Sequence, residues 1–469
     1  MFTPETYINR RMVLRNTLKT GMLLFLGNDD CGMNYADNTY HFRQDSTFLY
    51  YFGLDYPGLA AVIDIDNGRE IVFGDELTMD QIVWMGSQPT IREKCDWIGI
   101  VDVMPSNKLK AYIEKEIKYG RIIHYLPPYR PEHQLKLYDL LGISPFQQQI
   151  NSSHIFIKGV VNQRIYKSDE EIIQLEEAVN ISADMHIHAM RMIRPGMKEA
   201  DVAAAVTEIA LSREGNLSFP VIATINGQTL HNHYHGNVLR EGDMLLLDAG
   251  AENKMHYAGD LSSTIPVSGR FTSRQRDIYS IALDAHQTAV KLLRPGIPFK
   301  EIHMVACRRI VEGLKDLGLM RGHIDLAVEE GAHALFFQCG LGHMMGLDVH
   351  DMENLGELWV GYDGSPKSTL FGLKSLRLAR KLERRFVLTI EPGIYFIPEL
   401  IDMWKSEKRH AEFINYDKVE EYRNFGGIRN EEDYLITDDG ARRLGKHVPI
   451  SIDEVEAVRE KSFTYSSTH

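Results

Sequence analysis

Apolar and polar positions follow two rhythms along the chain. Near the amino terminus the apolar residues gather in short runs, Met22–Leu26, 60–65 and 70–73. Runs of this kind bounded by Gly, Asp and Asn predict strands. Asp66-Asn67-Gly68 between the last two predicts a tight hairpin. Helical spacing alternates with these runs. One helix opens after Thr3-Pro4, with Glu5 in its first turn, and another covers 108–118, before a further strand at 122–126. Phe42-Arg43-Gln44-Asp45-Ser46 forms a polar elbow leading into the aromatic-rich segment 48–52. This alternation predicts a small α/β domain over residues 1–160.

The rhythm then lengthens. Ser168 with Glu171 three residues later is a capping box, and a long amphipathic helix follows to about Ile193, ending at Arg194-Pro195-Gly196. A second helix, 285–293, ends at Arg294-Pro295-Gly296. Similar text follows each stop: Met197-Lys198-Glu199-Ala200-Asp201-Val202 and Pro298-Phe299-Lys300-Glu301-Ile302-His303. The two stops either coincide by chance or mark an internal repeat of a helix–turn–helix unit. A repeat predicts an α+β domain over 166–460, built of pseudo-twofold halves with a cleft between them. Segments 354–385 and 399–425 read as loops or short elements. Asp438-Asp439-Gly440 is a turn, a last helix starts near Ile452, and 466–469 is a frayed tail.

Chemistry enters at Leu245-Leu246-Leu247-Asp248, which runs through a polar turn to Tyr257-Ala258-Gly259-Asp260. This reads as a hairpin with an acid on each arm. Two carboxylates brought together there need positive charge between them, and a pair of divalent cations is one solution. Two loop aspartates facing water are the other. Three later stretches add donors. His343 lies among glycines in Gly340-Leu341-Gly342-His343, Glu391 precedes Pro392-Gly393 at a strand end, and Glu431 enters an apolar strand after Arg429-Asn430. Two Asp, one His and two Glu form a hard, oxygen-rich set suited to Mn²⁺, Co²⁺, Fe²⁺ or Zn²⁺.

Composition narrows the alternatives. The 469 residues suffice for two domains. With 52 basic against 65 acidic side chains, the net charge of −13 and the lack of a basic stripe argue against a nucleic-acid partner. Cys31, Cys95, Cys307 and Cys339 show no paired spacing, which points to a reducing compartment, the cytoplasm. No apolar run is long enough for a membrane span, and no signal peptide is evident.

The order Asp248-Ala249-Gly250, Gly259-Asp260, Gly340-Leu341-Gly342-His343, Glu391-Pro392-Gly393 and Ile428-Arg429-Asn430-Glu431-Glu432-Asp433 resembles the proline-specific peptidases of pita-bread fold, the aminopeptidase P and prolidase family. Arg10-Arg11 with Leu14, and the elbow from Phe42 to Gly53, resemble the same family's amino-terminal domain, which there shapes the active-site mouth and helps build a dimer. The resemblance implies two divalent ions per chain, Mn²⁺ first. Asp248 would chelate one, Asp260 and Glu431 would bridge both, and His343 and Glu391 would complete the other. It implies that Glu391 also takes the proton of the attacking water, that His231 and His350 flank the metals with His350 polarising the substrate, and that Arg429 supports the last ligand. Among the neighbouring histidines it passes over His233 and His235. The expected activity is hydrolysis of Xaa-Pro bonds at a free amino terminus, on small peptides with proline second, by a homodimer or higher homo-oligomer. The loop Gly372-Leu373-Lys374-Ser375-Leu376-Arg377 resembles prolidase, where an arginine holds a dipeptide's carboxylate, so a strict dipeptidase is the alternative. A metal-free peptide-binding relative would lose the acids that this chain keeps. Two departures stand out: Cys339 replaces a histidine that contacts substrate, and Asn430 replaces an aliphatic residue.

Overall fold

Two units build the chain, Met1–Arg164 with Met352–Trp359, and Ile165–Asp351 with Val360–His469. The computed structural model describes residues 1–466, with side chains through Thr464; of the frayed tail expected at 466–469, Ser466 ends the helix Ile452–Ser466 and the rest lies outside the described residues. Residues 352–359 were expected in the second domain and group with the first. Among the described residues no helix is long and apolar enough to cross a membrane.

The first unit contains a five-stranded sheet in the order Asp102–Met104, Arg69–Phe73, Ala60–Asp64, Met22–Leu26, Ile123–His124. Its three central strands are antiparallel and the two outer strands run parallel to their neighbours. The hairpin closes as its Asp-Asn-Gly turn requires: the Asp64 carboxylate accepts the Asn67 N–H at 3.1 Å, and Asp64 faces Arg69 across the ladder. Met22, Leu24, Val62, Ile71 and Phe73 bury one face against Ile113 and Leu137. The polar elbow proves to be a helix cap. Asp45 accepts the Phe48 N–H at 2.8 Å and opens the buried helix Ser46–Phe52.

The second unit is a duplication visible in its hydrogen bonds. The helix Asp169–Met192 starts at the Ser168–Glu171 capping box, as expected, and Glu199–Ser212 follows it. In the other half Ser273–Leu292 is followed by Phe299–Asp316. After the first Arg-Pro-Gly, Gly196 donates to Leu239 O and Leu239 donates back to Met197 O, both at 2.8 Å. After the second, Gly296 donates to Leu382 O at 2.8 Å and Leu382 donates to Ile297 O at 2.9 Å. A strand then begins at Met244 in one half and at Val387 in the other. Asp248 and Glu391 therefore hold equivalent places, each at the far end of the strand that follows its turn.

One expected element changes. The repeat's second first-helix starts at Ser273, well before 285. Thr272 and Gln275 form its capping box, while the charged opening Arg274-Gln275-Arg276-Asp277 hides the apolar period. The segment 399–425, read as loops or short elements, holds the short helices Pro398–Ser406 and Tyr416–Glu420.

Gly196 and Gly296 both adopt left-handed backbone, φ +93° and +90°, and an added methyl group would meet nothing within 4 Å at either. Alanine at each is therefore expected to cost about 1–2 kcal/mol through backbone strain alone. Urea unfolding should give matching losses for Gly196→Ala and Gly296→Ala; a difference above about 1 kcal/mol, well outside that of equivalent positions, would deny the duplication of the turns.

Candidate metal centre

Each candidate donor is placed by a strand end. In the first half the sheet runs Ser262–Pro266, Met244–Asp248, Ile222–Thr224, with Asp248 opposite Ser262. Asp260 falls two residues short of this ladder, so the simple two-armed hairpin is corrected. Its N–H is instead held by the buried Asp433 carboxylate at 3.0 Å, which fixes Asp260 beside the second half. There, Val387–Ile390 pairs with Glu432–Ile436, and the chain around His343 lies along the opposite edge. Thr389 donates to His343 O at 3.0 Å and Glu391 donates to Leu341 O at 2.8 Å. Gly342 is required at this approach, since a Cβ there would lie 2.0 Å from Thr389 O. The two halves are tied at Glu431, whose N–H bonds Ser262 O at 3.0 Å and whose carboxylate accepts from Ser262 Oγ at 2.8 Å.

The donors converge on His343. Its Nε2 lies 3.4 Å from Asp260 Oδ2, 3.7 Å from Glu391 Oε1 and 3.9 Å from Glu431 Oε1. Arg429, paired with Gly393 in a short ribbon, spreads its guanidinium over Ser262 Oγ at 2.9 Å, Tyr395 OH at 2.9 Å and Asp248 Oδ2 at 2.5 Å. Burial and the neighbouring Asp248 charge push the Asp260 carboxyl well above its ordinary range. Burial, with Asp260 next, does the same to Glu431, and burial raises Glu391. Burial alone would weaken the Arg429 cation, and the charges of Tyr395, Asp248 and Glu431 more than offset it.

The residues fit a divalent cation. Asp248 Oδ1, Asp260 Oδ1 and Glu431 Oε1 are buried with no hydrogen-bond partner among the described residues, and unsatisfied buried carboxylate oxygens call for a counter-charge. Asp260, His343 and Glu431 each bring a donor atom within 4.8 Å of the others'.

All nine residues singled out in the sequence line one cavity of about 230 Å³ within the second unit: Asp248, Asp260, His343, Glu391, Glu431, His231, His350, Arg377 and Arg429. The His350 and His343 rings stand 4.1 Å apart, tilted by 54°. Beside His350, the buried pair Lys167–Asp351 at 2.8 Å and the Asp351 N–H bond to Met344 O at 2.9 Å hold the backbone. His231 is exposed at the rim, and what burial it has lowers its pKa.

The sequence missed several residues. His233 lines the cavity beside His231, whereas His235 turns away to Val221 O at 3.0 Å. Phe219, Pro220, Ile222, Leu230 and Val349 supply an apolar wall. Asp433 sits under the site, and strand alternation, which puts 431 and 433 on one face, was the signal for it. Cys339 also lines the cavity, its thiol 3.9 Å from Tyr395 OH and pushed up to about 12 by burial and the Glu391 charge. Asn430 is explained by Tyr279, whose hydroxyl donates to Asn430 Oδ1 at 3.1 Å.

Comparison with known proteins gives the family and the fold. The profile of metallopeptidase family M24 matches residues 173–438, and that of the aminopeptidase P N-terminal domain matches residues 7–124. The chain is 30% identical to the human Xaa-Pro dipeptidase over 476 residues, covering 95% of this chain and 91% of that one. It is also 30% identical to the Xaa-Pro aminopeptidase of Escherichia coli over 441 residues, covering 90% of each. A substrate complex of E. coli aminopeptidase P superposes with a TM-score of 0.80 at 28% identity over 99% of both chains. The expected fold, a pita-bread domain of pseudo-twofold halves preceded by a smaller domain, is borne out.

The raised carboxylates give a pH signature. A carboxyl whose folded pKa lies above its unfolded value favours folding least after the unfolded chain has ionised. The metal-free protein should therefore lose stability as pH rises from the ordinary carboxylate range, about 4, toward neutrality. Asp260→Asn removes one such group. Calorimetry of chelated protein should show the variant melting above wild type at pH 7, with the gap closing near pH 4; a variant less stable throughout would reject the electrostatic account.

Proposed function

The chain belongs to metallopeptidase family M24, and on that premise we propose that it is a dinuclear-metal peptidase cleaving the Xaa-Pro bond at a free amino terminus, Xaa-Pro dipeptides included. The observation that carries this reading is the convergence of Asp248, Asp260, His343, Glu391 and Glu431 on one cavity with three carboxylate oxygens unpartnered. Asp248 would hold one ion, Asp260 and Glu431 both, and His343 with Glu391 the other. Divalent ions, Mn²⁺ first, would supply a Lewis acid and a water acidified toward neutrality. Arg429 holds Asp248 oriented through its guanidinium bond to Oδ2. Glu391 accepts the proton of the attacking water at its carboxylate and passes it to the leaving proline nitrogen. His350 hydrogen-bonds the oxygen of the scissile peptide, and His231 closes the rim. Phe219, Pro220 and Val349 give an apolar wall for a pyrrolidine ring. Cytoplasmic location and a homodimer complete the proposal.

Strict dipeptidase activity is the second reading, favoured by Arg377 in the cavity lining. An arginine fork binds a carboxylate through two parallel bonds, and only a dipeptide carries that carboxylate directly after proline.

Chelation should abolish hydrolysis of Ala-Pro-Ala, and Mn²⁺ or Co²⁺ should restore it; full activity in metal-stripped protein would reject the mechanism. His350→Ala is expected to lower kcat by roughly 10²-fold or more without loss of metal, and metal loss would make His350 a ligand instead. Arg377→Ala should weaken Ala-Pro turnover by about 1.5–3 kcal/mol in kcat/KM and Ala-Pro-Ala much less. Equal losses on both substrates would remove the dipeptidase reading.

A further inference from the structure

A second cluster of metal-binding side chains lies in the same unit, outside the cavity. The helix Phe299–Asp316 buries a stripe of Phe299, Ile302, Ala306, Ile310 and Leu314, and within that stripe stand His303 and Cys307, four residues apart on one face. His333 meets them from the 3₁₀ turn Ala332–Leu335. All three are fully buried, and none lines the cavity.

Two polar residues in a core stripe need partners, and these have few. His303 Nδ1 and both ring nitrogens of His333 have no hydrogen-bond partner among the described residues, although such groups are nearly always satisfied. Burial, then the His410 charge, lowers the His333 pKa to about 4, against an opposing pull from the Val328 carbonyl. His303, lowered to about 3 by burial and then by His333, is also a neutral imidazole, which is the form that binds metals. Cys307 Sγ stands 3.5 Å from His303 Nε2. Bonds of about 2.3 Å to sulfur and about 2.0 Å to nitrogen at a tetrahedral angle separate the two donors by about 3.5 Å. The three donors lie within 4.8 Å of one another.

We propose that His303, Cys307 and His333 form a buried site for a thiolate-binding d¹⁰ cation, Zn²⁺ or Cu⁺, chemically distinct from the carboxylate-rich centre. One sulfur and two imidazoles are a soft set that disfavours Mn²⁺. Binding forms one S–metal and two N–metal bonds and releases the thiol proton to solvent, with no change of oxidation state. Because the site is closed, the ion enters as the chain folds and ties the helix to the 3₁₀ turn.

Cobalt is the probe, since a cysteine thiolate on Co²⁺ gives a near-ultraviolet charge-transfer absorption that carboxylate and imidazole ligands lack. Protein produced in cobalt-supplemented medium should show this band, and it should survive dialysis against a chelator that empties the hydrolytic centre. Cys307→Ser and His333→Gln should lose it, and Cys339→Ser should keep it. Metal content after growth with zinc, or with copper under reducing conditions, then tells which ion the site prefers. Absence of the band in the wild-type protein, its persistence in Cys307→Ser or its loss in Cys339→Ser would each overturn the proposal. Should the Cys307 variant fold poorly by circular dichroism, the wild-type band and its resistance to chelator decide alone.

Discussion

Four carboxylates share one buried pocket, and the rest of the catalytic unit is arranged to make that tolerable. In a medium of low polarity like charges so close repel by several kcal/mol per pair unless compensated. Arg429 supplies one fixed positive charge, clamped between Asp248, Ser262 and Tyr395. His343 sits among three of the acids. This leaves acid in excess, and burial together with the neighbouring carboxylates pushes Asp260 and Glu431 upward. A pocket so built is a poor protein core and a good cation site, and the same repulsion that weakens the empty protein becomes affinity once an ion is present.

The duplication explains how such a pocket arises. Two copies of a helix–turn–helix–strand unit place Asp248 and Glu391 at matching ends of matching strands, and the antiparallel neighbours bring Asp260 and Glu431 in behind them. The seam between the halves carries polar ties beside the apolar cluster of Ile222, Leu246 and Tyr395: Glu431 against Ser262, and Arg429 against Thr264, where Thr264 Oγ1 accepts from Arg429 N at 3.1 Å. These specific bonds help set the spacing of the donors.

Much of this was legible in the sequence, because donors at strand ends carry flanking signals. Gly342 before His343 and Pro392-Gly393 after Glu391 announce backbone constraints, and those constraints are what the structure shows. The misses have a common cause as well. Asp260 looked like a ladder residue because its text follows a turn, yet its position is set by Asp433, far along the chain. His233 enters the cavity through the path of an exposed loop, and nothing in its neighbours distinguishes it from His235. The helix starting at Ser273 hides behind a charged first turn. Long-range pairing and loop direction leave no local mark, whereas caps, glycines and alternation do.

The spacing of the donors also sets a clock. Asp248 and Asp260 leave the ribosome with the first half of the unit, but Glu431 is made only after the helices and first strand of the second half. Folding proceeds as the chain emerges, so the first half can close its sheet while the centre still lacks three of its five donors. A chain assembled in this order carries its two aspartates unaccompanied by His343, Glu391 and Glu431 until the second half has followed.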